Sequence, residues 1–127
     1  MLLRLDATQQ EPGLYLDLPR GIPNNTHFTA ITNMTLTPPA GTHWCSFSST
    51  FFPSSGSVMF DLAIHVNSVI VSQSKRVIGG SGSNFGVHTL AVISTPGGQT
   101  VDVRFVRTSV SGTTSIYERS LYCLRIG

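Results

Sequence analysis

Val58-Met59-Phe60-Asp61-Leu62-Ala63-Ile64-His65-Val66-Asn67-Ser68-Val69-Ile70-Val71 is the stretch on which the reading of this chain turns. Apolar side chains recur at Val58, Phe60, Leu62, Ile64 and Val66, a period of two that gives a strand one dry face. Asp61, His65 and Asn67 fall on the opposite face, with Met59 and Ala63 between them. The pattern breaks at Asn67-Ser68, which reads as a tight turn into a second strand running from Val69 to about Ile78.

Working outward, strands and turns alternate in both directions. Upstream, His27 to Leu36 is a strand with Phe28, Ala30, Thr32, Met34 and Leu36 on one face. Thr37-Pro38-Pro39-Ala40-Gly41 is a rigid connection, because proline cannot donate to a ladder. Thr42 to Phe52 resumes with Trp44, Cys45, Phe47, Phe51 and Phe52, nearly all β-formers. Downstream, Gly79 to Gly86 reads as a loop, with no GxxxxGK[ST] pattern and no lysine to meet a phosphate. Val87 to Ser94, Thr100 to Arg107 and Ser115 to Ile126 complete the strands, separated by Thr95-Pro96-Gly97-Gly98-Gln99 and Ser111-Gly112-Thr113-Thr114. No amphipathic helix of three turns can be drawn. Short strands with turn signals at regular intervals predict an all-β, antiparallel two-sheet sandwich over residues 27–127.

Residues 1–26 read as an N-terminal arm. Leu3 and Leu5 alternate, a Pro12-Gly13 turn follows, and Leu14, Leu16 and Leu18 alternate again. Such an arm either covers an edge of its own domain or adds as a strand to a neighbouring subunit, and these five leucines are its candidate partner-binding residues. Its deletion is expected to leave the sandwich folded.

Composition bounds the function. At 127 residues and 40% apolar content, the chain has the size and core of one domain. Charged residues make up only 11%, and the net charge of +2 is dispersed, with Lys75-Arg76 the one adjacent basic pair. Nucleic-acid binding calls for a concentrated basic footprint, so it is not expected. No stretch approaches a membrane helix, and Met1-Leu2-Leu3 leads at once to Arg4 and Asp6 rather than to a signal-peptide core. Asn24-Asn25-Thr26 and Asn33-Met34-Thr35 match the glycosylation triplet, a pattern common by chance in a Thr- and Asn-rich chain.

Catalytic, cofactor-binding and metal-binding residues are not predicted. His27, His43, His65 and His88 form no HxH or HxxxH pair, and the serines around 46–57 lack a nucleophile elbow. Asp61 and Asp102 would make an acid–base pair only if the sheet brought them within about 5–9 Å. Cys45 and Cys123 have no CxxC spacing. Two buried free thiols are the first reading, and a disulfide tying the second main strand to the last is the competing one.

The last strand carries the strongest hint of assembly. Tyr117, Leu121 and Cys123 fall on one face by simple alternation, and Ile116, Tyr122, Leu124 and Ile126 on the other. A strand apolar on both faces must be covered on both, here by the arm or by another subunit. The candidate subunit-contact residues are Tyr117, Arg119, Tyr122, Leu124 and Ile126, with Arg119 and Arg125 candidates to pair with Glu118 or Asp102.

Three groups of residues also carry a resemblance. They are Met34-Thr35-Leu36-Thr37-Pro38-Pro39-Ala40-Gly41-Thr42-His43-Trp44, then His65-Val66-Asn67-Ser68 with Ser74-Lys75-Arg76, and Pro96 to Val103 with Arg119 to Ile126. In this order they resemble the jelly-roll domains of the C1q and tumour-necrosis-factor type, especially small versions among tailed-phage virion proteins. The chain departs from that pattern at Asn67-Ser68, where many relatives have Asn-Gly, and carries no collagen-like segment ahead of the domain. The resemblance implies a jelly roll whose closing strand packs toward a three-fold axis. It further implies a non-enzymatic homotrimer on the capsid surface of a virion, a decoration or cement protein whose partner is the major capsid protein. The alternative it implies is a head domain of a tail, collar or baseplate fibre, binding a host surface glycan or receptor through Tyr15, Tyr117 or Trp44.

Overall fold

A computed structural model describes residues 4–9, 14–17, 28–53, 56–79, 85–108 and 113–127. Among the described residues ten strands are formed: β1 Arg4–Gln9, β2 Leu14–Asp17, β3 Thr29–Leu36, β4 Gly41–Pro53, β5 Met59–Val66, β6 Val69–Ile70, β7 Arg76–Gly79, β8 Phe85–Thr95, β9 Val101–Arg107 and β10 Thr113–Arg125. They make two antiparallel sheets. One runs β1-β10-β4-β8 with β2 also on β10, and the other runs β3-β9-β5-β6 with β7 also on β5. The all-β two-sheet sandwich expected from the alternation, and the jelly roll that the resemblance implied, are the fold observed.

The core lies between the sheets. Phe47 and Phe51 from β4 meet Phe60, Leu62 and Ile64 from β5, and Phe51 stacks on Phe60 with ring centres 5.1 Å apart. Val101, Val103 and Phe105 of β9 and Ile116 and Leu121 of β10 complete it. The opening stretch behaves as its period requires: Val58, Phe60, Leu62 and Ile64 are all fully buried in this layer.

Three local expectations need correction. First, Cys45 and Cys123 are not free thiols. They are directly opposite across the β4–β10 ladder, with Cα atoms 4.1 Å apart, and form a disulfide. Sequence spacing is silent about a pair that only strand register brings together. Second, the segment after Asn67-Ser68 is no continuous strand. It breaks into β6, a 3₁₀ turn at Ser72–Ser74, and β7. The buried Ser74 hydroxyl makes this break tenable by accepting from Ile64 N–H at 2.8 Å and bonding the Val71 carbonyl at 2.7 Å, contacts a regular ladder would otherwise supply.

Third, β3 does not keep one face. Ile31 and Met34 are both buried while Ala30 and Asn33 are exposed, because the register slips between Ala30 and Thr35. Asn33 takes up the slip at φ 63°, a left-handed conformation asparagine tolerates better than most residues. Of the two placements open to the arm, its described residues take the first and form an edge of the chain's own sheet. β1 pairs with β10 from Arg4↔Leu124 to Gln9↔Arg119, and β2 pairs with β10 from Leu14↔Ile116 to Asp17↔Thr113. The ladder-forming edge of Leu5, Leu14 and Leu16 is therefore spent on β10 rather than on a neighbour, and deleting residues 1–26 would strip that edge from the sandwich. Leu3 and Leu18 lie outside the described residues.

Asn67 and Ser68 form the two-residue hairpin turn between Val66 and Val69, at φ 50° and 68°. Both positive values are what a type I′ turn demands, and the second position is the one glycine fills most easily. Ser68→Gly should therefore raise unfolding free energy by about 0.5–1 kcal/mol, read as a shifted denaturant midpoint at unchanged slope. Replacing both Cys45 and Cys123 by Ala should lower stability by about 2–4 kcal/mol in the same measurement, since a long loop in the unfolded chain is no longer closed.

Candidate functional site: the outer face of the disulfide-bridged sheet

Strand β4 sorts its residues by parity. His43, Cys45, Phe47, Ser49 and Phe51 point to the core and are buried, whereas Trp44, Ser48 and Phe52 point outward and are exposed. Strand β8 does the same, with Val87, Thr89, Ala91 and Ile93 inward and His88, Leu90 and Val92 outward. Strand β10 changes parity midway. Its register against β4 slips between Tyr117 and Ser120, and Glu118 occupies the slip at φ 51°. This β-bulge turns Ile116, Leu121 and Cys123 to the core and leaves Tyr117 at 41% exposure with Tyr122 and Leu124 half-buried. Uninterrupted alternation had put Tyr117 with Leu121 and Cys123, and Ile116 with Tyr122; the bulge exchanges them.

Register then aligns the outward residues in rows. Leu124, Trp44 and Val92 lie side by side on β10, β4 and β8, and Tyr122, Ser46 and Leu90 form the next row. Neighbours in such a row stand about 5 Å apart, close enough for their side chains to touch. Trp44 is 43% and Val92 59% exposed. No Asp, Glu, Lys or Arg occupies either row or the Ser120, Ser48 and His88 row beside them. On β1 these two rows continue with Arg4 opposite Leu124 and Asp6 opposite Tyr122, so the result is a contiguous, partly aromatic face that is uncharged over β10, β4 and β8, the kind of surface that marks an interaction site.

Of the residues predicted from the last strand, Tyr117, Tyr122 and Leu124 lie on this face. Ile126, just beyond β10, is exposed and donates its N–H to the Thr42 carbonyl at 2.8 Å. Arg119 is elsewhere. It is buried on the core side of the bulge, where Nη1 donates to the Ile116 carbonyl at 2.9 Å and Nε has no partner. Burial lowers its pKa from the usual arginine value. Neither Glu118 nor Asp102 pairs with Arg119 or Arg125 among the described residues; Arg125 donates to the Gly127 carbonyl at 3.3 Å. Leu90 and Val92 were missed as members of the face. Their signal was present, since β8 is apolar on both parities in the way the last strand is.

The opposite sheet has a different outer face. Asp61 is buried and pairs with Lys75 at 3.3 Å. Asp102 grips Arg104 through both carboxylate oxygens at 3.0 and 3.1 Å, and Arg104 also donates to Ser68 Oγ at 3.0 Å. Asp61 sits opposite Val106 on β9 whereas Asp102 sits opposite His65, so the two carboxylates are four residues apart along the sheet, about 13 Å. They cannot act on one bond. The described histidines are dispersed too: His43 faces the core and donates through Nε2 to the Pro39 carbonyl at 2.8 Å, His88 meets Ser46 Oγ, and His65 packs on Phe28 on the other sheet. His27 lies outside the described residues. Among those residues no group of three metal-ligating side chains converges, and no helix is long and apolar enough to cross a membrane.

Comparison with solved structures places this geometry. The chain is similar to the structure of Eiger TNF from S. frugiperda, at a TM-score of 0.57 and 10% identity over 98% of this chain and 93% of that one. It is also similar to the EclA C-terminal domain, a sugar-binding protein, at a TM-score of 0.53 and 15% identity over 89% and 80%. At such identities the likeness is one of fold. No protein-family model and no curated protein matches the sequence.

His65 provides a measurable consequence of the polar face. Burial lowers its pKa, with Arg104 adding to the effect, against the Ala63 carbonyl and Asp102, which raise it. A histidine held neutral in the fold but free to protonate when unfolded supports stability above about pH 6.5 and forfeits it as pH falls toward the lowered folded value. Wild-type protein should therefore lose stability more steeply than His65→Gln below about pH 6.5, with the two profiles parallel above pH 7, in denaturant titrations across that range.

Proposed function

We propose that this protein is a non-enzymatic jelly-roll module that assembles with its own copies through the β10–β4–β8 face. The observation that carries the reading is the row Leu124, Trp44 and Val92 beside the row Tyr122, Ser46 and Leu90, apolar for the most part and uncharged, with Trp44, Leu90 and Val92 exposed and Tyr122 and Leu124 half-buried in the single chain. Covering such a face removes apolar area from water, and its β10, β4 and β8 positions carry no charge to be desolvated. The resemblance to C1q and tumour-necrosis-factor type domains makes the assembly a trimer. Its small virion versions make the trimer a decoration or cement protein on a capsid surface, with the major capsid protein as partner. Such a role needs no catalytic group, since weak contacts repeated over three copies add to firm attachment. The buried disulfide supports a working place outside the reducing cytosol, as a virion surface is.

A second reading rests on the aromatics. Trp44 and Tyr117 are each two-fifths exposed, and flat aromatic rings at such exposure suit stacking on sugar rings. This is the head-domain alternative, with a host surface glycan or receptor as ligand.

Light scattering decides between them. Purified protein should have the mass of a trimer, and the double substitution Trp44→Ser with Leu124→Ser should reduce it to one chain while the β-sheet circular dichroism is kept. A wild-type protein that stays a single chain at high concentration removes the assembly reading. Glycan binding by that single chain, lost in Trp44→Ala, would establish the second.

A further inference from the structure

The two sheets part along one side, where β7 and β8 lie next to each other without a shared ladder. Among the described strands β7 pairs with β5 and β8 with β4. Between them is a groove of about 320 Å³. That volume lies at the small end of ligand sites and admits one ring rather than a chain of them.

The chemistry of the groove is consistent along its length. Ile78 and Val87 are buried and supply an apolar floor. Gly79 and Gly86 form part of its walls, and a Cβ on either would meet nothing within 4 Å. Glycine within a strand at such a place lets a ligand come close to the backbone. Arg76 and His88 are the titratable lining residues, and no acidic residue is among those that line it. Arg76 is held in place, because Nη1 donates to the Gln73 carbonyl at 3.0 Å and the Lys75 carbonyl at 2.9 Å. Among the described residues no acid pairs with its guanidinium. His88 is likewise held, by Ser46 Oγ at 2.9 Å.

We propose that this groove binds a small carboxylate ligand of about one sugar ring, such as a uronic acid, with Arg76 holding the carboxylate and the ring lying against Gly79 and Gly86. A guanidinium already anchored on one nitrogen loses little freedom on binding, and carboxylate is the partner its planar fork fits. Arg76 belongs to the other sheet, whereas Gly86 and His88 belong to β8, and His88 stands at the rim of the self-association face.

The test is calorimetric titration of the full chain with glucuronate, with glucose as the neutral counterpart and inorganic phosphate as a second anion. Glucuronate should bind and glucose should not. Arg76→Gln should weaken glucuronate binding by about tenfold or more, the loss expected when a charge-assisted contact is removed. Gly86→Val, whose added methyls enter open groove rather than core, should block binding with the thermal midpoint retained. Glucuronate binding no tighter than that of glucose or phosphate overturns the proposal, and so does an Arg76→Gln variant that binds as wild type does.

Discussion

The β4–β10 ladder is the constraint from which the rest of the molecule follows. β10 is paired along one edge with β4 and along the other with β1 and β2, so the chain terminus is held at the middle of a sheet. The Cys45–Cys123 bridge fixes the register of this ladder at its buried side. The bulge at Glu118 sets its phase, because a one-residue insertion turns every following side chain to the other face. With these two features in place, Phe47, Leu121 and Ile116 enter the core together and Trp44, Tyr122 and Leu124 are left outside together. The core and the candidate interface are the two sides of one registration.

The two outer faces of the sandwich then differ in kind. On the β5–β9 side, burial of Asp61 and Asp102 is offset by Lys75 and Arg104. Pairs of this sort hold geometry more than they add net stability. On the β10–β4–β8 side the outward positions of these three strands carry no charge and a good deal of apolar surface. A protein with this division presents one face whose buried carboxylates already have partners and one whose apolar groups do not. The second is where assembly gains most.

The arm illustrates how the same alternating leucines serve two architectures. Leu5, Leu14 and Leu16 were legible as strand residues, but a strand edge can be satisfied by the chain itself or by a neighbour, and the sequence pattern is identical in both cases. Bringing β1 and β2 onto β10 closes that edge of β10 within one chain, leaving the side chains of the β10–β4–β8 face as its free apolar surface. The candidate interface is accordingly built from side chains, with no strand exchange.

The period-two runs at Val58 to Val66 and Val101 to Phe105, the punctuation at Pro38-Pro39 and Pro96-Gly97, and the doubly apolar last strand were enough to determine an antiparallel sandwich with one face in need of cover. Those features are local, set by the pleat and by residues that cannot continue it. Phase, pairing and edge were decided only in three dimensions. Ile116 and Tyr117 exchange sides because Glu118 adopts a left-handed conformation, Ile31 enters the core because Asn33 does the same, and Cys45 finds Cys123 because β4 and β10 are neighbours. Each of these depends on which strand lies alongside, and backbone hydrogen bonding between strands leaves no mark on the residues that take part in it.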